Sequence, residues 1–114
     1  MQTVVELPEF IRRAKKLGLS DEEREAIVEL VASDPGIGDE ISGTGGMRKV
    51  RIAAKNKGKS GGYRVITFFS GAHIPVFLVT VYGKNRKDNL SDAEKNVMKS
   101  LAAAIVDIYR RQKK

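Results

Sequence analysis

Residues 47–82 read MRKVRIAAKNKGKSGGYRVITFFSGAHIPVFLVTVY, and this stretch decides the fold. Val50 and Ile52 alternate with Lys49 and Arg51, the period of two of a strand whose successive side chains face opposite ways. YRVITFF, at 63–69, is β-branched and aromatic and reads as a second strand. Phe and Val fall on both of its faces, so it is expected to be central and covered on both sides. After a turn at Gly71-Ala72-His73, PVFLVTVY at 75–82 reads as a third strand, with its proline at the start where it is tolerated. The connections are too short for parallel crossovers, which predicts an antiparallel meander.

Working outward, the flanks are helical. Residues 3–6 suit a short strand, and Pro8 suits the first turn of a helix carrying Phe10, Ile11, Ala14 and Leu17 up to Gly18. Ser20 with Glu23 forms a capping box for a second helix, whose stripe is Ile27, Leu30 and Val31 and whose stop is Asp34-Pro35-Gly36. Ser91 with Glu94 repeats the box for a last helix, with Val97, Met98, Leu101, Ile105 and Ile108 on one face. The expectation is an α+β fold over residues 1–114 as a single domain: two N-terminal helices, a three- to four-stranded antiparallel sheet, and a C-terminal helix packed on it.

Charge is distributed unevenly along this framework. The net charge is +7, but residues 1–46 carry −5 and residues 47–90 carry +9. The basic middle comprises Arg48, Lys49, Arg51, Lys55, Lys57, Lys59, Arg64, Lys84, Arg86 and Lys87. The absence of cysteine excludes a disulfide scaffold, thiolate-bound zinc and thiol catalysis. With one histidine, His73, neither a multi-histidine metal site nor a Ser-His-Asp triad is supported. No apolar run approaches a membrane span, and MQTVVELPEF lacks the features of a signal peptide, so the expected compartment is the cytoplasm. Chemistry must therefore draw on Lys, Arg, Tyr, Asp or Glu.

The meander brings the cations together. Lys49 and Arg51 share a face of their strand. The turn near His73 joins the second and third strands, so Arg64 falls near residues 82–84 at the opposite sheet end. Arg51, Arg64 and Lys84 are then candidates for one cationic patch, and such a patch suits phosphate. Tyr63 and Tyr82, beside the cations, are candidates to stack on unpaired bases. The loop KNKGKSGG offers Lys55, Lys57 and Lys59 to a nucleic-acid backbone, although a Lys-Gly hairpin tip is as often only a solvated turn. His73 reads as a turn residue. The glycines of SGTGG lead into a strand with no GK[ST] behind them, so they do not form a P-loop. The carboxylates of SDEEREAIVE are explained by capping and a solvated helix face.

The run GDEISGTGGMRKVRIAAKNKGKSGGYRVITFF, followed by FLVTVYGKN, resembles the RelE/ParE superfamily of bacterial toxins, nearest its HigB-like branch. The ordered combination GTGG, RKVR, GGYR and YGKN carries the resemblance, and the helical flanks agree in order and length. It implies a toxin of a type II toxin–antitoxin system: an mRNA endonuclease acting in the ribosomal A site, with no metal or other cofactor, by attack of a ribose 2′-OH on its own 3′-phosphate. By the same resemblance, Arg64 and Arg51 stabilise the phosphate, Lys49 assists 2′-OH activation and Lys84 neutralises the leaving group. Arg48, Lys55, Lys57, Lys59, Tyr63, Tyr82 and Arg86 are expected to bind RNA. The chain departs from the RelE pattern at Asn85, where an arginine follows the lysine, and at residues 88–90, which lack its tyrosine. The implied partners are the ribosome with its mRNA and a cognate antitoxin bearing a helix-turn-helix domain, through which alone DNA is bound. No membrane is involved. Two other readings are a ParE-like inhibitor of DNA gyrase and an RNA-binding module without catalysis.

Overall fold

The computed structural model describes residues 1–53, 62–71, 73–83 and 90–112. Its elements, in chain order, are β1 (Val4–Glu6), α1 (Pro8–Lys16), α2 (Asp21–Ser33), β2 (Asp39–Glu40), β3 (Met47–Ile52), β4 (Tyr63–Phe68), β5 (Val76–Gly83) and α3 (Asp92–Arg111). The strands form one sheet in the order β1-β5-β4-β3-β2. The meander β3-β4-β5 is antiparallel, as its short connections require.

The α+β expectation holds, with five strands in place of three or four and a mixed sheet in place of an antiparallel one. The reason lies at the edges. β1 joins β5 in parallel, pairing Val5 with Phe77 across most of the chain. Local connection lengths carry no trace of such a distant partner. At the other edge β2 is only two residues long, too short to leave a periodic pattern.

Strand alternation divides the core in two. Val50, Tyr63, Val65, Val76, Leu78 and Val81 face α1 and α2, where they meet Phe10, Ala14, Ile27 and Val31. Met47, Ile66, Phe68, Phe77, Val79 and Tyr82 face α3, where they meet Met98, Ala102 and Ile105. β4 contributes to both clusters, which makes it the central strand the sequence predicts. A bulge in β5 pairs Ile66 with Thr80 but Thr67 with Leu78, so Val79 and Thr80 both serve the α3 side.

Both capping boxes form. Ser20 Oγ accepts from the Glu23 N–H at 3.1 Å while Glu23 Oε1 accepts from the Ser20 N–H at 2.9 Å. Ser91 and Glu94 repeat the arrangement at the same two distances. Each box satisfies two donors that a helix start leaves open. Arg24 of α2 donates through Nε and Nη2 to Glu6 Oε2 at 3.1 and 2.9 Å, tying the helix to β1.

Two expected helix faces shift. In α2 the buried residues are Ile27, Val31 and Ala32, and Leu30 is exposed. In α3 they are Met98, Ala102 and Ile105, whereas Val97 is 69% and Ile108 52% exposed. The five residues expected on that face span a wide arc of the helix. The sheet covers only one border of the arc.

Candidate functional site

Register places three of the four expected catalytic cations on one face. Arg51 pairs directly with Arg64, and Arg64 with Tyr82. Directly opposed residues share a face, with Cβ atoms about 4.5–5.5 Å apart. Lys49 stands one step along the same face, in a row that runs Asp39, Lys49, Ile66, Thr80 across four strands. Ile66 and Tyr82 assign both rows to the side that α3 packs on.

The helix covers the far part of this face, over Met47, Phe68 and Phe77, and leaves the cations accessible. Arg51 is exposed, and Lys49 and Arg64 are half-buried. None of the three forms an ion pair with a carboxylate among the described residues. Two arginines directly opposed, with no carboxylate partner among the described residues, repel each other, so the sheet carries an electrostatic cost at this spot. An anion placed between them removes it. Among the described residues no group of three or more His, Cys, Asp or Glu is placed to hold a metal ion.

The other expected RNA contacts fall in different places, and the two tyrosines are buried. Tyr63 lies on the opposite face, 5% exposed among the α1–α2 core residues, where it lines a cavity of about 480 Å³ with Leu19, Ile27 and Ile52, away from the cationic row. Tyr82 is on the right face, beside Arg64, but is 2% exposed: its ring walls the cationic row. Arg48 alternates away from Lys49 and donates from Nη1 to the Gly38 carbonyl at 3.2 Å in an exposed hydrogen bond that ties it to the loop before β2. Lys55, Lys57, Lys59, Lys84 and Arg86 lie outside the described residues. His73 sits at the far sheet end, beside a cavity of about 250 Å³ that Tyr109 and Arg110 also line.

Asp39 is a candidate that the sequence reading did not single out. It is exposed at the edge of the cationic face, directly opposite Lys49. Three devices hold its two-residue strand in register. Gly38 adopts φ +97°, and its Cα approaches β3 so closely that a Cβ there would stand 2.5 Å from the Lys49 carbonyl oxygen and 2.9 Å from Val50 Cγ2. Arg48 clamps the Gly38 carbonyl. On the other side, the Ile41 N–H donates to the Met47 carbonyl at 2.9 Å, and the buried Thr44 hydroxyl donates to the Ile41 carbonyl at 2.6 Å while accepting from the Met47 N–H at 3.2 Å. The GTGG segment is thus a closed connection between β2 and β3, with Thr44 as its internal tie. The available signal was Gly38 immediately before an acid, ten residues ahead of the basic strand.

A family model described as the RelE toxin of the RelE / RelB toxin-antitoxin system matches residues 3–113. The match spans β1 through the end of α3, so the architecture and the cationic face lie within it. The chain belongs to the RelE toxin family. It is a toxin of a toxin–antitoxin system, with a cognate antitoxin as the partner the family implies.

Proposed function

We propose that this chain is a ribosome-dependent mRNA endonuclease, an mRNA interferase that stops translation by cutting message. The observation that supports it most is the row Arg51–Arg64–Tyr82, with Lys49 beside it, on the face that α3 leaves accessible. In the proposed reaction a ribose 2′-oxygen attacks the adjacent phosphorus and the bond to the 5′-oxygen breaks. One proton leaves the 2′-OH and one reaches the departing oxygen, giving a 2′,3′-cyclic phosphate and a 5′-hydroxyl. Negative charge builds on the non-bridging oxygens as the bond forms. Arg51 and Arg64, whose backbones the ladder holds opposite each other, stabilise that charge. Lys49 assists removal of the 2′ proton, with Asp39 at the register position opposite it adding negative charge to its surroundings. Lys84 keeps, from the sequence, the part of neutralising the leaving group.

The test is mRNA on programmed ribosomes, with cut ends mapped by primer extension. Codon-phased ends are expected from the wild type, with a rate reduced about 10²–10³-fold in Arg64→Ala, the usual scale for one preorganised donor. Intact message, or equal cleavage by Arg64→Ala, overturns the proposal. Inhibition of gyrase supercoiling in place of cleavage assigns the chain to gyrase inhibition, and salt-sensitive binding without cleavage assigns it to RNA binding alone.

A further inference from the structure

The GTGG loop does more than close β2 onto β3. Gly43, Gly45 and Gly46 adopt φ +79°, +76° and +114°, three left-handed residues within four positions. Left-handed residues in a turn bend successive N–H groups toward one concavity, and such concavities hold anions. Gly43 and Gly45 are exposed, and among the described residues their N–H groups meet no acceptor. The N–H groups on either side, at Ile41 and Met47, are taken by the hairpin, and the Thr44 hydroxyl is turned inward to the same two residues.

α3 lays two lysines against this loop. A Cβ at Gly43 would lie 3.7 Å from Lys95 Cδ, and one at Gly45 would lie 3.6 Å from Lys99 Cα and Cγ. Four residues apart, Lys95 and Lys99 occupy one side of the helix, where like charges repel. Neither forms an ion pair with a carboxylate among the described residues. The nearest acids on α3, Asp92 and Glu94, serve the helix start, and Glu94 Oε1 is held by the Ser91 N–H. The loop and the helix therefore offer donors and positive charge together, which calls for a ligand with several anionic oxygens. The sequence lacks the lysine that follows a P-loop; here α3 supplies two from outside the loop. Gly46 precedes Lys49 by three residues, at most about 11 Å of chain, and Met47 between them faces α3 as Lys49 does. The loop thus continues the cationic row past Lys49.

We propose that the GTGG loop, with Lys95 and Lys99, is a second phosphate site, which holds another phosphodiester of the RNA strand whose scissile phosphate lies at Arg51 and Arg64. No bond is made or broken there. Two anchored phosphates fix the direction of the strand across the sheet, where one leaves it free to pivot. The choice of an RNA strand rests on the reading of the cationic row as the RNA site, whereas phosphate binding by the loop does not. Inorganic phosphate presents the same oxygens, so it serves as the second probe.

The experiment titrates the full chain with a 2′-O-methyl RNA hexamer, which has no 2′-OH to attack with, and separately with inorganic phosphate. Amide chemical shifts are read by NMR, and hexamer affinity is measured across salt concentrations. The Gly43 and Gly45 amides are expected to shift saturably with both probes, a readout that needs no variant to fold. The double variant Lys95→Gln/Lys99→Gln is expected to bind the hexamer about tenfold more weakly. Its plot of log affinity against log salt should be shallower by about 0.7, the share of one phosphate on a single strand. Lys15→Gln/Lys16→Gln removes the same charge from α1, on the other side of the sheet, and leaves affinity within about twofold of the wild type. Unmoved Gly43 and Gly45 amides with the hexamer, or wild-type affinity in Lys95→Gln/Lys99→Gln, overturn the proposal. Shifts with inorganic phosphate alone assign the loop to a free anion and overturn the RNA strand. If the hexamer binds as expected but the wild type leaves message on ribosomes intact, the phosphate site stands and the endonuclease reading fails.

Discussion

Gly38→Ala separates the cost of backbone conformation from the cost of the close approach that holds Asp39 in place. Gly18 provides the control. Both glycines have positive φ, +81° at Gly18 and +97° at Gly38. A Cβ at Gly18 meets nothing within 4 Å, so Gly18→Ala costs only the left-handed conformation, about 1–2 kcal/mol. A Cβ at Gly38 meets the Lys49 carbonyl oxygen at 2.5 Å and Val50 Cγ2 at 2.9 Å. Neither neighbour yields easily: one is backbone inside the β3 ladder, and the other belongs to a residue 3% exposed in the core. Overpacking of this kind adds about 1–3 kcal/mol, so Gly38→Ala is expected to cost about 2–5 kcal/mol. The protein can limit that loss by letting β2 pull away from β3, which carries Asp39 away from Lys49. Urea denaturation of both variants measures stability. Cleavage at a urea-free temperature where both are folded measures the site. The expected result is a larger stability loss for Gly38→Ala, together with a fall in cleavage that Gly18→Ala does not show. Equal stability of the two variants would refute the close approach. A destabilised Gly38→Ala that cuts normally would refute the link between β2 and the site.

Two further predictions concern charge. Asp39→Asn keeps the shape of the side chain but removes the negative charge facing Lys49, so kcat for cleavage should fall on the order of tenfold while KM for RNA stays level or drops; an unchanged kcat removes Asp39 from the mechanism. Arg51→Gln relieves the repulsion with Arg64 and should raise the thermal stability of the free toxin by about 0.2–1 kcal/mol at low ionic strength, an advantage that added salt erases; a stability loss at low salt would mean that Arg51 has a structural partner.

The legible parts of this fold share one property: their signals are local. The capping boxes at Ser20 and Ser91 set two helix starts through contacts three residues apart. The period of two in β3 placed Lys49 and Arg51 together before any register was known. The turn between β4 and β5 put Arg64 near Tyr82, and the ladder pairs them directly. What escaped depends on distant partners. β1 is made a sheet strand by β5, about seventy residues along the chain. Tyr63 and Arg64 are neighbours in sequence, yet Tyr63 belongs to the core and Arg64 to the cationic face; only the packing of the helices says which side of β4 is which. Asp39 was illegible for the same reason, because its value lies in a cross-strand partner ten residues away.

The sheet also gives the charge asymmetry a direction. Asp21, Glu22, Glu23, Glu25 and Glu29 all belong to α2, which packs on the side of Val50 and Val65. Lys49, Arg51 and Arg64 project from the other side. The acids of α2 and the cations Lys49, Arg51 and Arg64 are therefore held on opposite faces of one sheet rather than left to neutralise each other. Stability alone would favour the reverse, with carboxylates beside the opposed Arg51 and Arg64. Acids already occur at Asp39 and Glu40, one strand away, so a counter-charge for those arginines lay within easy reach of the fold. Instead Asp39, an acid of the described sheet residues on that face, stands opposite Lys49 at the sheet edge. Separation of this kind repels a polyanion from one side and attracts it to the other, so that a phosphate backbone arrives with its charge already directed at the row. The repulsion left between Arg51 and Arg64 is then a standing preference for an anion, which the RNA phosphate of the proposed reaction would satisfy.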